Sequence, residues 1–179
     1  TADLLWRNAE KFDLVLCFVG SAYCNPVLEA LLKRFWDPRF FFSDWNPHLI
    51  AKLLEQQESL DTKRSILIII DDVVLSSKAQ DQLCTLAMRG RHFGVSLIMC
   101  SVSWTSINKR ARRSLDCVLV YSMPMSGDLK VLTSEFAQQQ TMARFALRSL
   151  KNYEALVLET LEKRQRLFSF QANLLTENS

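Results

Sequence analysis

Residues that interrupt a regular fold are scarce in this sequence. Among its 179 residues there are only four glycines and four prolines, whereas 49% are hydrophobic. This composition excludes a disordered or low-complexity chain, and the length suits one domain with a substantial core. No apolar run approaches the roughly 20 residues that cross a bilayer, and no signal peptide opens the chain. The sequence therefore predicts a globular protein without a membrane-spanning segment.

Cysteine pairs and clusters of cysteine with histidine are also missing. The five cysteines are odd in number, none of them forms a C-x-x-C pair, and the two histidines lie far from any pair of cysteines. A structural zinc site is therefore not expected. Cys17, Cys100 and Cys117 fall within apolar runs, where a thiol acts as a small hydrophobic group, and this predicts a reducing, intracellular compartment. The formal charge of +3 is too small to indicate a nucleic-acid partner by itself.

The most informative stretch is Ser-Ile-Leu-Ile-Ile-Ile-Asp-Asp, residues 65–72. The run from Ile66 to Ile70 is unbroken and rich in β-branched isoleucine, which is typical of a strand buried on both faces of a parallel sheet. Asp71 and Asp72 follow at its carboxyl end, where open α/β sheets place their ligands. In nucleotide-hydrolysing proteins, one such carboxylate holds hydrated Mg²⁺ and the other orients or deprotonates the attacking water. An ordinary acidic turn after a buried strand fits the stretch equally well.

Strand-like and helix-like patterns alternate along most of the chain. Strands are predicted at residues 12–19, 39–42, 66–70, 95–101, 116–121, 153–158 and 167–170, and helices at 1–11, 26–35, 47–58 and 78–89. Residues 128–150 are predicted to be mostly helical. Such alternation indicates an α/β fold with a largely parallel sheet flanked by helices, and the last two strands form a C-terminal pair. No repeat or linker divides the chain, so one domain is expected over residues 1–179.

The order of the motifs resembles that of a known family. ILIIIDDV is followed by RGRHFGVSLIMCSVSW and then by RARRSLDCVLVY. In order and spacing these segments are similar to the genome-packaging ATPases of large DNA viruses, the poxvirus-type branch of the FtsK–HerA superfamily. The resemblance implies a RecA-like P-loop NTPase core that binds ATP and Mg²⁺, assembles as a homo-oligomeric ring and threads double-stranded DNA into a capsid. It also implies that Asp71 is the Mg²⁺-linked acid and Asp72 the water-activating acid.

The phosphate loop of such ATPases, G-x-x-x-x-G-K-[ST], is absent from the sequence. In the family this loop lies immediately before the first helix, so Thr1 stands close to the position of the terminal threonine of the loop. We therefore expect that an N-terminal strand and the loop precede the numbered chain, and that Thr1 binds Mg²⁺ and nucleotide through its hydroxyl group. Thr1 as a simple helix N-cap, and a protein that has lost nucleotide binding, are the alternatives.

A second departure from the family pattern follows the strand at residues 95–101. Family members usually carry a glutamine there that reads the γ-phosphate, and this sequence has Val102. Valine cannot donate a hydrogen bond, so phosphate sensing either shifts to Ser101 or Ser103 or is absent. We expect this valine to affect the rate of hydrolysis more than the binding of nucleotide.

Two basic segments are the remaining candidates for function. By resemblance, Arg91 and His92 face the nucleotide of a neighbouring subunit, where an arginine offsets the charge that develops on the transferred phosphoryl group. A solvated loop at the end of a helix, where cations are favourable, is the alternative.

The second segment contains Lys109, Arg110, Arg112 and Arg113. Arg112 corresponds to the arginine of the family motif R-x-N, with Ser114 in place of the asparagine, which implies an arginine finger that reaches across a ring interface. The other three cations are candidates for contact with DNA phosphates, which requires only positive charge and reach. A solvated loop is the alternative, as it is for most charge runs.

The resemblance implies an ATP-driven translocase that packages viral double-stranded DNA, with capsid or portal-type viral proteins as partners. Its location would be the virion or the site of virus assembly. A non-hydrolysing ring-forming or DNA-binding relative that lost the phosphate loop is the alternative. A helicase-type or strand-exchange ATPase would share the same core.

Overall fold

The computed structural model describes residues 8–20, 30, 34, 37–73, 75–122, 125–136, 140–152, 154–159 and 166–171. The chain divides into two compact units, Thr1–Val102 and Ser103–Ser179. The expectation that residues 1–179 make a single domain stays a prediction. Within the described ranges, no helix is long and apolar enough to cross a membrane.

The first unit contains a four-stranded parallel sheet with the strand order β2-β1-β3-β4. Its strands are β1, Leu14–Val19; β2, Phe41–Phe42; β3, Ile66–Asp71; and β4, Val95–Cys100. The β3 strand lies between β1 and β4, and its first five residues are buried. The aliphatic run of this strand is therefore explained by its position, because an interior parallel strand is covered on both faces.

Two helices cover one face of this sheet. They are α1, Pro47–Ser59, and α2, Ser77–Arg89. Each begins at a side chain that accepts a hydrogen bond from a free N–H of the first turn: Asn46 accepts from Leu49, and Ser76 accepts from Ala79. The shared core contains Leu16, Phe18, Ile50, Ile66, Ile68, Ile70, Leu83, Leu86 and Val95.

The opposite face of the sheet has its own apolar cluster, formed by Val15, Cys17, Val19, Leu67 and Ile69. Because side chains alternate along a strand, Asp71 continues the row of Leu67 and Ile69 on this face. Burial raises the pKa of the Cys17 thiol to about 12, with smaller contributions from Asp71 and Cys100. The thiol is therefore protonated and packs as an apolar group.

The described residues of the second unit form three helices and an antiparallel sheet of the order β5-β6-β7. In chain order its elements are α3, Lys109–Arg113; β5, Cys117–Val120; α4, Ser126–Phe136; α5, Gln140–Ser149; β6, Glu154–Glu159; and β7, Arg166–Gln171. Its core includes Trp104, Leu132 and Leu147.

The predicted fold class is confirmed: the structure is α/β, with a parallel sheet flanked by helices and an antiparallel strand pair near the C-terminus. Two strands begin two residues later than predicted. Strand β1 begins at Leu14, because the preceding Asp13 turns to accept a hydrogen bond from the Ser65 N–H at 2.8 Å. Strand β2 is only Phe41–Phe42, because the two residues before it belong to the 3-10 turn Pro38–Phe40.

Most of the two predicted N-terminal helices, at residues 1–11 and 26–35, lies outside the described residues. Within the first of these ranges, Ala9–Lys11 form a short 3-10 helix.

Candidate functional site

Two adjacent carboxylates stand at the carboxyl end of the central strand. Asp71 is the last residue of β3, and Asp72 follows it. Since β1, β3 and β4 run parallel, their carboxyl ends come together, and Val19, Asp71 and Cys100 lie in register across them. Open α/β sheets bind their ligands at this end. The structure therefore places the acid pair where the sequence predicted it.

Asp72 adopts a backbone conformation that L-residues seldom use. Its φ is +52°, and it is the one residue other than glycine with a positive φ in the described part of the chain. Aspartate tolerates this left-handed region better than most residues, but the conformation still has an energetic cost. Conformations of this kind cluster at functional sites, where surrounding contacts hold them. The chain thus leaves the strand conformation at Asp72, and the alternation of side chains along β3 ends there.

The backbone of Gly20 contacts the turn at Asp72 and stabilises it. Its N–H donates to the carbonyl oxygen of Asp71 at 3.0 Å. A Cβ atom added at Gly20 would lie 2.1 Å from the carbonyl oxygen of Asp72 and 3.4 Å from Cα of Val73. Because real Cβ atoms essentially never come this close to backbone oxygen, only glycine fits here. The missing side chain of Gly20 thus leaves room for the backbone of Asp72 at the end of β1.

The electrostatic environment of Asp71 favours a cation. Burial raises the pKa of the Asp71 carboxyl group above its ordinary value, and the neighbouring charge of Asp72 raises it further. A carboxylate whose ionised form is disfavoured by burial and a like charge is stabilised by a nearby divalent ion. One common kind of Mg²⁺ site uses one or two carboxylates and completes its shell with phosphate oxygens and water, so a Mg²⁺ role for Asp71 stays a prediction. No cluster of three or more potential metal ligands occurs among the described residues.

Arg91 and His92 lie at the other end of the sheet. Both are exposed residues of the 3-10 turn Gly90–Phe93, which precedes β4. The register pairs Val95 with Ile66, at the amino end of β3. The strand length then separates this turn from Asp71 by roughly 16 Å along the sheet. Within one chain, Arg91 does not come near the acid pair, so a role at the nucleotide of a neighbouring subunit stays a prediction.

Of the other residues predicted for this site, Thr1 lies outside the described residues, so its nucleotide and Mg²⁺ role stays a prediction. Val102, at the position of the missing polar sensor, has a side chain that is 91% exposed.

Arg112 is buried inside the second unit, with 6% of its surface exposed. Its Nε and Nη2 atoms donate to the two carboxylate oxygens of Glu135 at 3.0 and 2.8 Å, and Nη1 donates to the carbonyl oxygens of Trp104 and Ile107 at 3.2 and 2.8 Å. The guanidinium carbon also lies 5.5 Å from the centre of the Trp104 ring system. The arginine-finger role of Arg112 stays a prediction, and it requires the ion pair with Glu135 to open.

Asp128 fixes the segment that carries Trp104. Its carboxylate accepts hydrogen bonds from the N–H groups of Trp104 and Thr105, at 3.0 and 3.1 Å, and from the Thr105 hydroxyl at 2.6 Å. Burial alone would raise the pKa of Asp128, but hydrogen bonds from Thr105, Ser103 and the backbone lower it below its ordinary value. The ionised carboxylate therefore ties the start of the second unit to α4.

The basic segment predicted at residues 109–113 forms the short helix α3. Asn108 caps it by accepting a hydrogen bond from the Arg110 N–H at 2.9 Å. Lys109, Arg110 and Arg113 are exposed, in contrast to Arg112. The structure thus divides the cluster into three surface cations and one buried one.

Sequence reasoning missed three residues of these sites: Gly20, Asp128 and Glu135. Gly20 carried a usable signal, because a glycine at the end of a buried strand often marks a close backbone approach. The partners of Asp128 and Glu135 lie 23 to 31 residues away along the chain, and no local pattern indicates them.

The α/β fold with its parallel sheet is similar to that of a P-loop NTPase. The chain is similar in structure to the crystal structure of B204, the DNA-packaging ATPase from Sulfolobus turreted icosahedral virus, at 14% identity and a TM-score of 0.67, over 96% of this chain and 87% of that one.

It is also similar to the genome packaging NTPase B204 from Sulfolobus turreted icosahedral virus 2. For the complex with AMP, the TM-score is 0.64 at 14% identity, over 97% of this chain and 88% of that one. For the complex with ATP-gammaS, it is 0.59 at 12% identity, over 93% and 85%. No family model and no curated protein matches the sequence.

Proposed function

We propose that this chain is an ATP-driven translocase that packages a viral double-stranded DNA genome. The observation that carries the proposal is the acid pair at the carboxyl end of β3, with Asp72 held in a left-handed turn against Gly20. Strain of this kind is retained where it serves a site. A buried strand that ended in an ordinary turn would need neither the positive φ nor the close approach.

The two acids divide the work of hydrolysis. Asp71, whose carboxyl pKa is raised by burial and by Asp72, would hold Mg²⁺ in its ionised form. Bound Mg²⁺ would neutralise charge on the phosphate oxygens of ATP. Asp72, turned out of the strand, would orient the attacking water and accept its proton. Thr1 is the proposed hydroxyl ligand of the same ion.

The functions of the structural neighbours support this proposal. B204 is described as a DNA-packaging ATPase and a genome packaging NTPase, and it has been solved with AMP, ATP-gammaS and AMPPCP. Because this chain is similar in fold to a packaging protein that uses nucleotide, ATP hydrolysis is favoured over the alternative, a relative that lost nucleotide binding.

The remaining parts of the proposal concern the assembly. Subunits would form a ring in which Arg91 acts at the nucleotide of a neighbour, and Lys109 and Arg113 would contact DNA phosphates. Capsid or portal-type proteins would receive the ring in the virion or at the site of assembly. Membership of the FtsK–HerA superfamily is part of the same proposal.

The test is ATP hydrolysis, measured with and without duplex DNA, in the protein and in Asp72→Asn. Asparagine keeps the size of the side chain and tolerates the left-handed region, but it cannot accept the proton. Hydrolysis should fall about 10²–10⁴-fold, the usual contribution of a general base. Binding of Mg²⁺ and nucleotide should be retained.

The matched control is Asp61→Asn, an exposed carboxylate in the connection before the amino end of β3. This variant should hydrolyse ATP at the rate of the unmodified protein. Equal rates in Asp72→Asn and the unmodified protein would remove Asp72 from the proposed role.

A further inference from the structure

A polar cleft of about 440 Å³ lies between α3 and α4. Its walls are Lys109, Arg112 and Arg113 from α3 and Val131, Ser134 and Glu135 from α4. Each set of three has the spacing i, i+3, i+4, which places its members on one face of a helix. The cleft is therefore bounded by two facing helix surfaces and not by a chance gathering of loops.

The walls of this cleft carry an excess of positive charge. Glu135 is the one acid among them, and both of its oxygens are already engaged: Oε1 accepts from Arg112, and Oε2 accepts from Arg112 and from the indole N–H of Trp104 at 3.1 Å. Burial opposes ionisation of Glu135, but these hydrogen bonds hold its carboxyl pKa below the ordinary value. The carboxylate is thus ionised, and Arg112 neutralises it.

The charge left over belongs to Lys109 and Arg113. Both side chains are exposed, and neither makes a hydrogen bond to another described residue. The charge of Lys109 also contributes to the low pKa of Glu135, so it lies within electrostatic reach of the cleft. Four residues apart on one helix, the two cations present their donors to the same space.

We infer that this cleft binds a phosphate group, and that its ligand is the backbone phosphodiester of duplex DNA. The inference rests on the proposed function, and it divides the basic cluster by role. Lys109 and Arg113 bind the phosphate. Arg112 is a positioning residue that holds α3 at the correct distance from α4 through Glu135. Arg110 does not line the cleft.

A phosphodiester fits better than the two other uses of such charge. A merely solvated basic face does not require a buried arginine. Here Arg112 is buried against Glu135, and its guanidinium group makes four hydrogen bonds. The terminal phosphates of a free nucleotide have the same chemistry, so the test must separate this source from DNA. Contacts to phosphate carry no sequence information, so binding should be independent of DNA sequence.

The experiment measures the affinity of the whole protein for a fluorescent duplex over a range of salt concentrations, for Lys109→Gln, Arg113→Gln and Arg110→Gln. Each cleft variant should bind every duplex more weakly and lower the slope of log K against log salt by roughly 1, as expected for the loss of one phosphate contact. Arg110→Gln removes the same charge from the same helix, and its slope should equal that of the unmodified protein. Melting curves confirm that all three variants fold.

Two results would overturn the inference. If Arg110→Gln lowers the slope as much as the cleft variants do, the helix acts only through its net charge. If the cleft variants keep their DNA affinity but bind ATP more weakly, the cleft takes the phosphates of a nucleotide. ATP hydrolysis of the unmodified protein, measured in parallel, separates these results from a failure of the proposed function, which would appear as the absence of hydrolysis.

Discussion

At the scale of single residues, the backbone conformation of Asp72 depends on the lack of a Cβ atom at Gly20. Asp72 reaches its left-handed conformation only because the backbone of β1 leaves room for its carbonyl oxygen. This is why a glycine stands at the end of a strand whose other positions are apolar. Asp72, the proposed water-activating acid, and Gly20, which permits its geometry, are 52 positions apart.

Gly20→Ala should therefore damage the site more than its size suggests. The new methyl group would meet the Asp72 carbonyl oxygen at 2.1 Å, so backbone must shift on one side or the other. We expect a loss of about 1–3 kcal/mol in the free energy of unfolding, the usual cost of overpacking. Hydrolysis of ATP should fall through kcat, because the displaced carboxylates no longer align with water and Mg²⁺.

The chain offers a matched control for this substitution. Gly127, in the first turn of α4, has no atom within 4 Å of the position of an added Cβ. Gly127→Ala should leave hydrolysis unchanged and stabilise the protein by up to about 1 kcal/mol, since alanine favours the helix. Chemical denaturation and steady-state kinetics of both variants test the pair of expectations. An undamaged Gly20→Ala would show that the end of β1 does not hold Asp72.

At the scale of elements, α3 is held in place by one buried ion pair. The side chains of Arg112 and Glu135 are 8% and 12% exposed, and their nitrogen and oxygen atoms meet at 2.8 Å. Five residues make a helix of little more than one turn, which is unstable by itself. The pair with α4 and the Asn108 cap therefore account for the existence of α3.

Arg112→Met should cost about 3–5 kcal/mol of unfolding free energy, because it leaves the Glu135 charge buried without its partner. Combining it with Glu135→Gln should restore part of this loss. Glutamine removes the charge but keeps an acceptor for the indole N–H of Trp104. The coupling between the two sites should be about 0.5–3 kcal/mol in a double-mutant cycle followed by urea denaturation. A stable Arg112→Met with impaired hydrolysis would instead favour an arginine acting at the nucleotide of a neighbour.

The elements differ in how well local sequence predicts them. Strand β3 was predictable because a run of β-branched residues can be buried on both faces only inside a parallel sheet. Helices α1 and α2 were predictable because their apolar residues recur with the helical period and their caps are local. The Arg112–Glu135 pair was not predictable, because it joins residues 23 positions apart. The same limit hid the contact of Gly20 with Asp72. The sequence thus predicted that the two acids follow the central strand, but it did not indicate what positions them.

At the scale of the whole molecule, its acids affect stability in opposite directions. The pKa of Asp71 is raised from its ordinary value of 3.8, mainly by burial. For Asp128 and Glu135, burial raises the pKa, but hydrogen bonds from their partners outweigh it and lower the pKa below the ordinary values of 3.8 and 4.5. A lowered pKa contributes stability that is complete above the ordinary value and is lost as the pH falls through the folded-state value. A raised pKa contributes stability that is complete below the ordinary value and is lost as the pH rises through the folded-state value.

The pH dependence of unfolding should separate these contributions. As the pH falls below 4.5, protonation of Glu135 and Asp128 should destabilise the protein. As the pH rises from 3.8, the folded state holds the Asp71 proton more tightly than the unfolded state does, so ionisation of Asp71 should reduce stability until its folded-state pKa is passed. Asp71→Asn should therefore be more stable than the unmodified protein at neutral pH in the absence of ligand, and equally stable near pH 3.

Adding Mg²⁺ and ATP should reverse this order at neutral pH, because a divalent cation favours the ionised form of Asp71 and binding stabilises the folded state. Urea denaturation of both proteins from pH 3 to pH 8, with and without Mg²⁺ and ATP, measures all of these changes. Asp44→Asn, an exposed carboxylate elsewhere in the first unit, should follow the unmodified protein throughout. If Asp71→Asn gains as much stability from Mg²⁺ and ATP as the unmodified protein does, Asp71 is not the carboxylate that holds the ion.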